Sequence, residues 1–152
     1  MEDNKYKGLN TYQLIKALLE NLNCRCQENS DGTMFFTYQA ENFWVTTSQN
    51  NAWARIIDTQ WFECPTDDLQ NMSYMQKAIN TANSTQQCTA VYYIEDGKMI
   101  VYSKADIIIT PETPNVEDYL AVWLTCFFRL KNNVMIEYEK EKNKMEGDNS
   151  TK

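Results

Sequence analysis

The sequence predicts an α+β fold in which an antiparallel sheet is flanked by helices, in the order α-β-β-β(β)-α-β-β-α. Two observations lead to this prediction. Apolar residues recur at helical spacing in three separate segments, at the start, in the middle and near the end of the chain. Between these segments lie short runs rich in β-branched and aromatic residues, separated by turn residues. Such runs are typical of hairpins, whose strands are antiparallel.

Thr11, a residue type that favours the N-cap position, is predicted to cap the first helix. Beyond it, apolar residues recur three or four positions apart and form one stripe. The stripe consists of Leu14, Ile15, Leu18, Leu19 and Leu22.

Strand segments follow the first helix, over residues 24–27, 33–38, 43–47 and 53–58, with residues 61–64 extending or bending the last one. A tight turn centred on Ala40 and Glu41 is expected to join the second and third strands. In that register Tyr38 pairs with Phe43 and Phe36 with Val45 on a face that belongs to the core. On the other face, Thr37 pairs with Trp44 and Phe35 with Thr46. This second face is half polar, yet it contains two large aromatic residues.

The second helix is expected to begin after Thr66 or Asp67 and to end near Asn83 and Ser84. The last helix is expected to begin after Asn115, and its wide apolar stripe must be buried. Beyond residue 138 the sequence keeps its helix propensity but loses the apolar stripe. The predicted organisation is therefore an N-terminal arm over 1–10, a single α+β domain over 11–138 and a charged, disordered tail over 139–152.

The second hairpin has the clearest turn signal in the chain, Asp96-Gly97, because glycine readily adopts the positive φ that a two-residue turn needs. This turn places Glu95 opposite Lys98, Ile94 opposite Met99, Tyr93 opposite Ile100 and Tyr92 opposite Val101. Both faces of the hairpin are then apolar. A sheet with one face in water would alternate apolar and polar residues, so we expect a helix layer, a second copy or a partner segment to cover the second face.

Composition and charge narrow the possible partners. The chain has 152 residues, a net charge of −7 and no clustered basic stretch, which makes nucleic acid a poor partner. No run of about 18 apolar residues predicts a membrane helix, so we expect no membrane partner and a cytoplasmic location. The odd number of cysteines, five, fits a reducing compartment.

Catalytic and metal-binding chemistry receives little support. The chain has no histidine, which excludes Ser-His and Cys-His nucleophilic sites and histidine metal sites. The cysteines lack the paired knuckles of structural zinc sites, and we interpret them as packing residues. Carboxylates that could support acid/base chemistry lie mostly at predicted turns and helix starts, where capping explains them. These are Asp58, Glu63, Asp67, Asp68, Glu112, Glu117 and Asp118. We therefore predict no catalytic residue, no metal and no cofactor.

One sequence pattern resembles a known family. It consists of Asp31-Gly32, then Phe36-Thr37-Tyr38, a turn and Phe43-Trp44-Val45, and later Ala78-Ile79-Asn80 with Asn83, the last hairpin and an aromatic-rich closing helix. Over roughly residues 10–136 the chain resembles the YbjN-like family of proposed bacterial sensory transduction regulators, which share the fold of type III secretion chaperones. The resemblance implies homodimerisation and the capture of an extended protein segment, and it transfers no catalytic residue.

Together these observations favour a non-enzymatic protein-protein interaction module, chaperone-like or regulatory, that forms a homodimer and holds a segment of an unknown partner protein on a sheet or helix surface. Its partner-binding or dimer-interface candidates are Phe35, Trp44, Tyr93, Ile100 and Tyr102. Two alternatives remain: a small-ligand sensor with Trp and Tyr lining a cavity, and an enzyme that uses carboxylates or a thiol on an uncharacterised substrate.

Overall fold

The computed structural model of the chain describes residues 4–48 and 51–149. Within these residues the elements, in chain order, are α1 (Thr11–Asn21), β1 (Cys26–Glu28), β2 (Thr33–Tyr38), β3 (Glu41–Thr47), β4 (Trp53–Pro65), α2 (Leu69–Asn83), β5 (Thr89–Glu95), β6 (Lys98–Ile108) and α3 (Val116–Asn149). The predicted α+β class and element order are confirmed.

The strands form one antiparallel sheet in the order β1-β2-β3-β4-β6-β5, so β1 and β5 are its edge strands in the described part of the chain. By its internal contacts the chain divides into two compact units. Unit 1 comprises Met1–Thr59 and Ala105–Thr125, and unit 2 comprises Gln60–Lys104 and Cys126–Lys152. The single domain over 11–138 stays a prediction.

Helix α1 begins one residue earlier than the sequence indicated. Asn10, not Thr11, is the N-cap: its side chain accepts a bond from the Gln13 backbone N–H at 2.8 Å, and the Gln13 side chain accepts one from the Asn10 N–H at 3.1 Å. This reciprocal capping box satisfies two backbone donors that the helix leaves free. Thr11 instead donates its hydroxyl to the carbonyl of Asn51 at 2.9 Å.

The predicted register of the β2-β3 hairpin is wrong, although its faces are right. The turn lies at Gln39 and Ala40, with φ of 48° and 66°, so Tyr38 pairs with Glu41. Every strand partner therefore shifts by two residues from the prediction. A shift of two residues keeps each side chain on its face, because the side-chain period of a strand is two.

The corrected pairs in that hairpin place aromatic residues opposite each other. Phe36 pairs with Phe43, and their rings stack with centroids 5.3 Å apart in the core. On the opposite face, Phe35 pairs with Trp44 instead of Thr46.

The β5-β6 hairpin has the predicted register from end to end, including Glu95 opposite Lys98 and Tyr93 opposite Ile100. Its turn residues Asp96 and Gly97 have φ of 49° and 71°, as a two-residue turn of this kind requires.

The helix ends differ from the predictions in two places. Asp68, rather than Thr66 or Asp67, caps α2 by accepting the Asn71 backbone N–H at 3.1 Å. Helix α3 continues to Asn149, through most of the segment predicted as a disordered tail over 139–152; residues 150–152 lie outside the described residues. Within this extension, Lys140 pairs with Glu137 at 3.0 Å. Such pairs one turn apart stabilise a helix that has no apolar face.

The N-terminal arm predicted over 1–10 packs against its unit from Asn4 onward. Tyr6 is buried and donates its hydroxyl to Glu117 at 2.6 Å, and the Asn4 side-chain amide donates to the Pro111 carbonyl at 2.7 Å. Both contacts lie within unit 1.

Candidate interaction surfaces

Three residues in unit 1 form a continuous row across neighbouring strands, which we name the Trp44 face. Phe35 of β2 lies opposite Trp44 of β3, and Trp44 lies opposite Ile57 of β4. The rings of Phe35 and Trp44 meet edge to face, with centroids 5.1 Å apart. Directly paired residues share one face of a sheet, so the three side chains form one apolar strip.

The two faces of these strands differ in burial. The side that carries Phe36 and Phe43 is fully covered, and both residues are among the largest buried side chains of the protein. On the Trp44 face, Phe35 and Ile57 are half-buried and Trp44 keeps 38% of its surface exposed. The sequence prediction placed Phe35 and Trp44 on this face, and the structure adds Ile57, which cross-strand pairing alone reveals.

Charged groups lie beside the Trp44 face. Arg55 forms a two-pronged ion pair with Asp106, at 2.7 and 3.1 Å, and its guanidinium lies 5.5 Å from the ring centroid of Trp53. The positive charge next to the face is therefore neutralised. Unit 1 as a whole contains 11 acidic and 5 basic residues, so most of the negative charge of the protein belongs to it.

The predicted hairpin residues in unit 2 fall into two groups. Tyr93 is 43% exposed, and its ring meets the half-buried Tyr102 edge to face at 5.9 Å. Ile100, in contrast, keeps only 7% of its surface exposed. Tyr93 and part of Tyr102 can therefore contact a partner, whereas Ile100 is a packing residue.

Sequence reasoning missed the most exposed apolar residues of this hairpin. Tyr92 and Ile94 of β5 are 42% and 52% exposed. Their alternation places them on the same face as the buried Met99 and Val101, which predicts that they too are buried. They stay exposed because β5 is an edge strand, and that position depends on the strand order of the whole sheet.

The thiols of Cys26 in β1 and of Cys24 just before it lack the properties of a nucleophile. Burial raises the pKa of Cys26 to about 11, with smaller contributions from Cys24, Glu20 and Glu28, and burial also raises the pKa of Cys24. A reactive thiol needs the opposite shift, because the thiolate is the reactive form.

Three of the candidate carboxylates, Glu63, Asp68 and Glu117, are engaged in structural contacts. Asp58 is fully buried opposite Phe43. Hydrogen bonding to Lys98 lowers the pKa of Glu63, and hydrogen bonding to Lys5 lowers that of Glu117. A general acid or base near neutral pH needs a raised carboxyl pKa. The lowered pKa values of Glu63 and Glu117 therefore do not suit that role.

Glu117 also lines a surface depression of about 690 Å³ in unit 1, together with Asn4, Lys5, Tyr6 and Asn115. Among the residues that the structure describes, no group of three or more Cys, Asp or Glu side chains could hold a metal ion. No helix within the described ranges is long and apolar enough to cross a membrane.

Comparisons with known proteins agree with the fold. No protein-family model and no curated protein matches the sequence. A solved structure of YbjN from Escherichia coli, described as a proposed transcription regulator, matches 86% of this chain and 90% of its own, with a TM-score of 0.51 and 10% sequence identity. At this identity the match establishes the fold, which is YbjN-like.

Proposed function

We propose that this YbjN-like chain is a cytoplasmic, non-enzymatic interaction module, regulatory or chaperone-like, that holds a basic segment of a partner protein on the Trp44 face. The observation that carries the proposal is the apolar strip of half-buried Phe35 and Ile57 around the exposed Trp44, on the acidic unit of the protein.

The strip has the features of a protein-binding surface. Aromatic residues contribute most to binding when they anchor a contact, and Trp is prominent among such anchors. The ring of the partly exposed Trp44 packs against the ring of Phe35, which restricts its rotamers before binding. Less conformational entropy is therefore lost when a partner covers Trp44.

Charge favours a basic partner. Unit 1 has more than twice as many acidic as basic residues, and Arg55, two residues from Ile57 in β4, is paired with Asp106. Complementary charge speeds the encounter of two proteins and disfavours partners of the same sign.

The absence of histidine and the raised pKa of Cys26 support a role without catalysis. Five free cysteines support a reducing location. The YbjN structure is described as that of a proposed regulator, which favours regulation among the possible outcomes of binding.

A photo-crosslinking experiment in cells that express the chain tests the proposal. Trp44→p-benzoylphenylalanine places the crosslinker on the face, and Val122→p-benzoylphenylalanine is the matched control, because Val122 is 60% exposed in the same unit but lies on helix α3. We expect discrete adducts at position 44 that are missing at position 122, with crosslinked peptides rich in Lys and Arg. Equal adducts at both positions, adducts with acidic peptides or no adduct at position 44 would contradict the proposal.

A further inference from the structure

An ion pair lies beside the Trp44 face in unit 1. Arg55 is two residues from Ile57 on β4, so its side chain leaves the strand on the same side, about 7 Å further along. Its Nε donates to Oδ1 of Asp106 at 2.7 Å, and its Nη2 donates to Oδ2 at 3.1 Å. One carboxylate and one guanidinium group therefore border the apolar strip.

The surroundings of Asp106 suit a long basic side chain. Ala105 and Ile107 of β6 are buried, so the alternation of the strand turns Asp106 and Ile108 to the opposite face. Ile108 keeps 73% of its surface exposed, more than Trp44 does. Lys and Arg side chains cover apolar surface with their aliphatic stems while the charged group stays in a polar contact. Such a side chain can pack its stem on Ile108 and place its charge at Asp106.

The resident cation, Arg55, is held in a way that permits exchange. Its side chain and that of Asp106 are 41% and 42% exposed, so a second cation can reach the carboxylate from solvent. Exposed ion pairs contribute little to stability, so the exchange of one cation for another costs little. The guanidinium group of Arg55 also lies 5.5 Å from the ring centroid of Trp53, and this contact is favourable without Asp106.

We propose that Asp106 is a subsite for a Lys or Arg side chain of the partner, and that Arg55 occupies it until the partner binds. The inference rests on the proposed function, because the segment on the Trp44 face brings its basic side chain to Asp106. Arg55 then moves onto the Trp53 ring, and the excess of acidic residues in unit 1 offsets the added positive charge. Asp106 thereby selects basic partners.

The first test is an NMR titration of the full chain with acetyl-arginine amide, followed at the indole N–H of Trp53. Acetyl-citrulline amide is the neutral probe of the same shape. We expect the Trp53 signal to shift with the arginine probe only, and Asp106→Asn to abolish the shift. Glu112→Gln is the matched control, because it removes the same charge from an exposed residue of the same unit. No shift with the arginine probe, equal shifts with both probes or an unchanged shift in Asp106→Asn would overturn the proposal.

A second variant tests whether Arg55 competes with the incoming cation. Arg55→Met should bind acetyl-arginine amide about threefold more tightly, because the probe no longer has to displace a resident cation. Arg25→Met is the control: Arg25 is an exposed residue of the same unit, and its substitution makes the same change in charge. Equal gains in both variants would show a general charge effect and refute the displacement of Arg55.

Photo-crosslinking at position 44 connects the subsite to the partner. We expect Asp106→Asn to lower the yield of adducts severalfold, and Glu112→Gln to retain it. Adducts that persist at full yield in Asp106→Asn would overturn the Asp106 subsite and leave the proposed function standing. If the chain that carries only the crosslinker forms no adducts but still binds acetyl-arginine amide at Asp106, the proposed function fails and the subsite for a basic group is supported.

Discussion

The two hairpins of this protein have similar turns but different surroundings. Both turns place two consecutive residues at positive φ, Gln39 and Ala40 in the first hairpin and Asp96 and Gly97 in the second. Strands β2 and β3 lie between β1 and β4, whereas β5 has a neighbouring strand on one side only within the described residues. The first hairpin therefore offers a face for contact, and the second offers both a face and an edge.

This difference separates what a hairpin sequence can specify from what it cannot. The alternation of apolar residues fixes which side chains share a face, and the faces of both hairpins were predicted correctly. The position of a hairpin in the sheet depends on contacts far away in the chain, such as β4 lying next to β6. Tyr92 and Ile94 are exposed for that reason, although their pattern matches that of core residues.

The largest expected effect tests the face assignment of the first hairpin. Phe36→Ala should lower the free energy of unfolding by about 3–5 kcal/mol, because it removes a fully buried ring stacked on Phe43. Phe35→Ala, one residue away on the Trp44 face, should cost less than about 1.5 kcal/mol, since that ring is only half-buried. Urea unfolding measures both. Equal losses would mean that both faces are covered in solution.

The next effect concerns the edge. Asn83→Ala should cost about 1–3 kcal/mol, because it leaves the part-buried N–H and C=O of Ala90 without their partners. Asn80→Ala is the control: it makes the same substitution one turn earlier in α2, at an exposed position, so a loss confined to Asn83→Ala reports the edge contact. The Ala90 amide should also exchange faster in Asn83→Ala alone. If Asn83→Ala and Asn80→Ala have equal stability, the side chain of Asn83 does not act as a strand substitute.

The errors of the sequence prediction have local physical causes. The β5-β6 register was predicted because Asp96-Gly97 is a recognisable turn pair, whereas Gln39-Ala40 has no glycine or asparagine to mark positive φ. The predicted register of the first hairpin therefore differs from the observed one by two residues, and it does not place Phe35 opposite Trp44.

The tail prediction differed from the structure for another reason. The segment beyond residue 138 has no apolar stripe, and that absence predicts disorder. In the structure it is helical to Asn149, with Lys140 paired to Glu137 and Lys144 to Glu141 at 3.0 and 3.1 Å. Lys77 of α2 also reaches Glu141 at 4.0 Å, a long-range contact that periodicity does not predict.

A smaller effect compares the two turns directly. Ala40→Gly should raise the free energy of unfolding, and Gly97→Ala should lower it, by about 1 kcal/mol each, because a Cβ is strained at positive φ. A Cβ at Gly97 would meet only the Thr66 hydroxyl at 4.0 Å, an ordinary contact, so the cost comes from the backbone. Thermal and urea unfolding measure both changes. A loss of stability in Ala40→Gly would show that the first turn has another geometry in solution.

The smallest expected effect tests whether the Lys98 ammonium group pairs with Glu95, across the turn, or with Glu63 of β4. The sequence places Lys98 opposite Glu95, whereas the structure pairs its ammonium group with Glu63 of β4 at 3.0 Å. The hydrogen bond to Lys98 lowers the pKa of Glu63 below its ordinary value of 4.5. The folded chain thus holds this carboxylate more readily than the unfolded chain does. The resulting stabilisation is complete above the unfolded pKa and is lost as the pH falls through the folded one.

Lys98→Met should therefore raise the Glu63 pKa toward 4.5 in an NMR titration, with little change in stability at neutral pH because the pair is exposed. Glu95→Gln, which removes the carboxylate directly across the turn, should leave the pKa of Glu63 unchanged. If Glu95→Gln shifts the Glu63 titration as much as Lys98→Met does, the ammonium group of Lys98 is shared between the two carboxylates. The second hairpin would then be held to β4 less firmly than the 3.0 Å contact indicates.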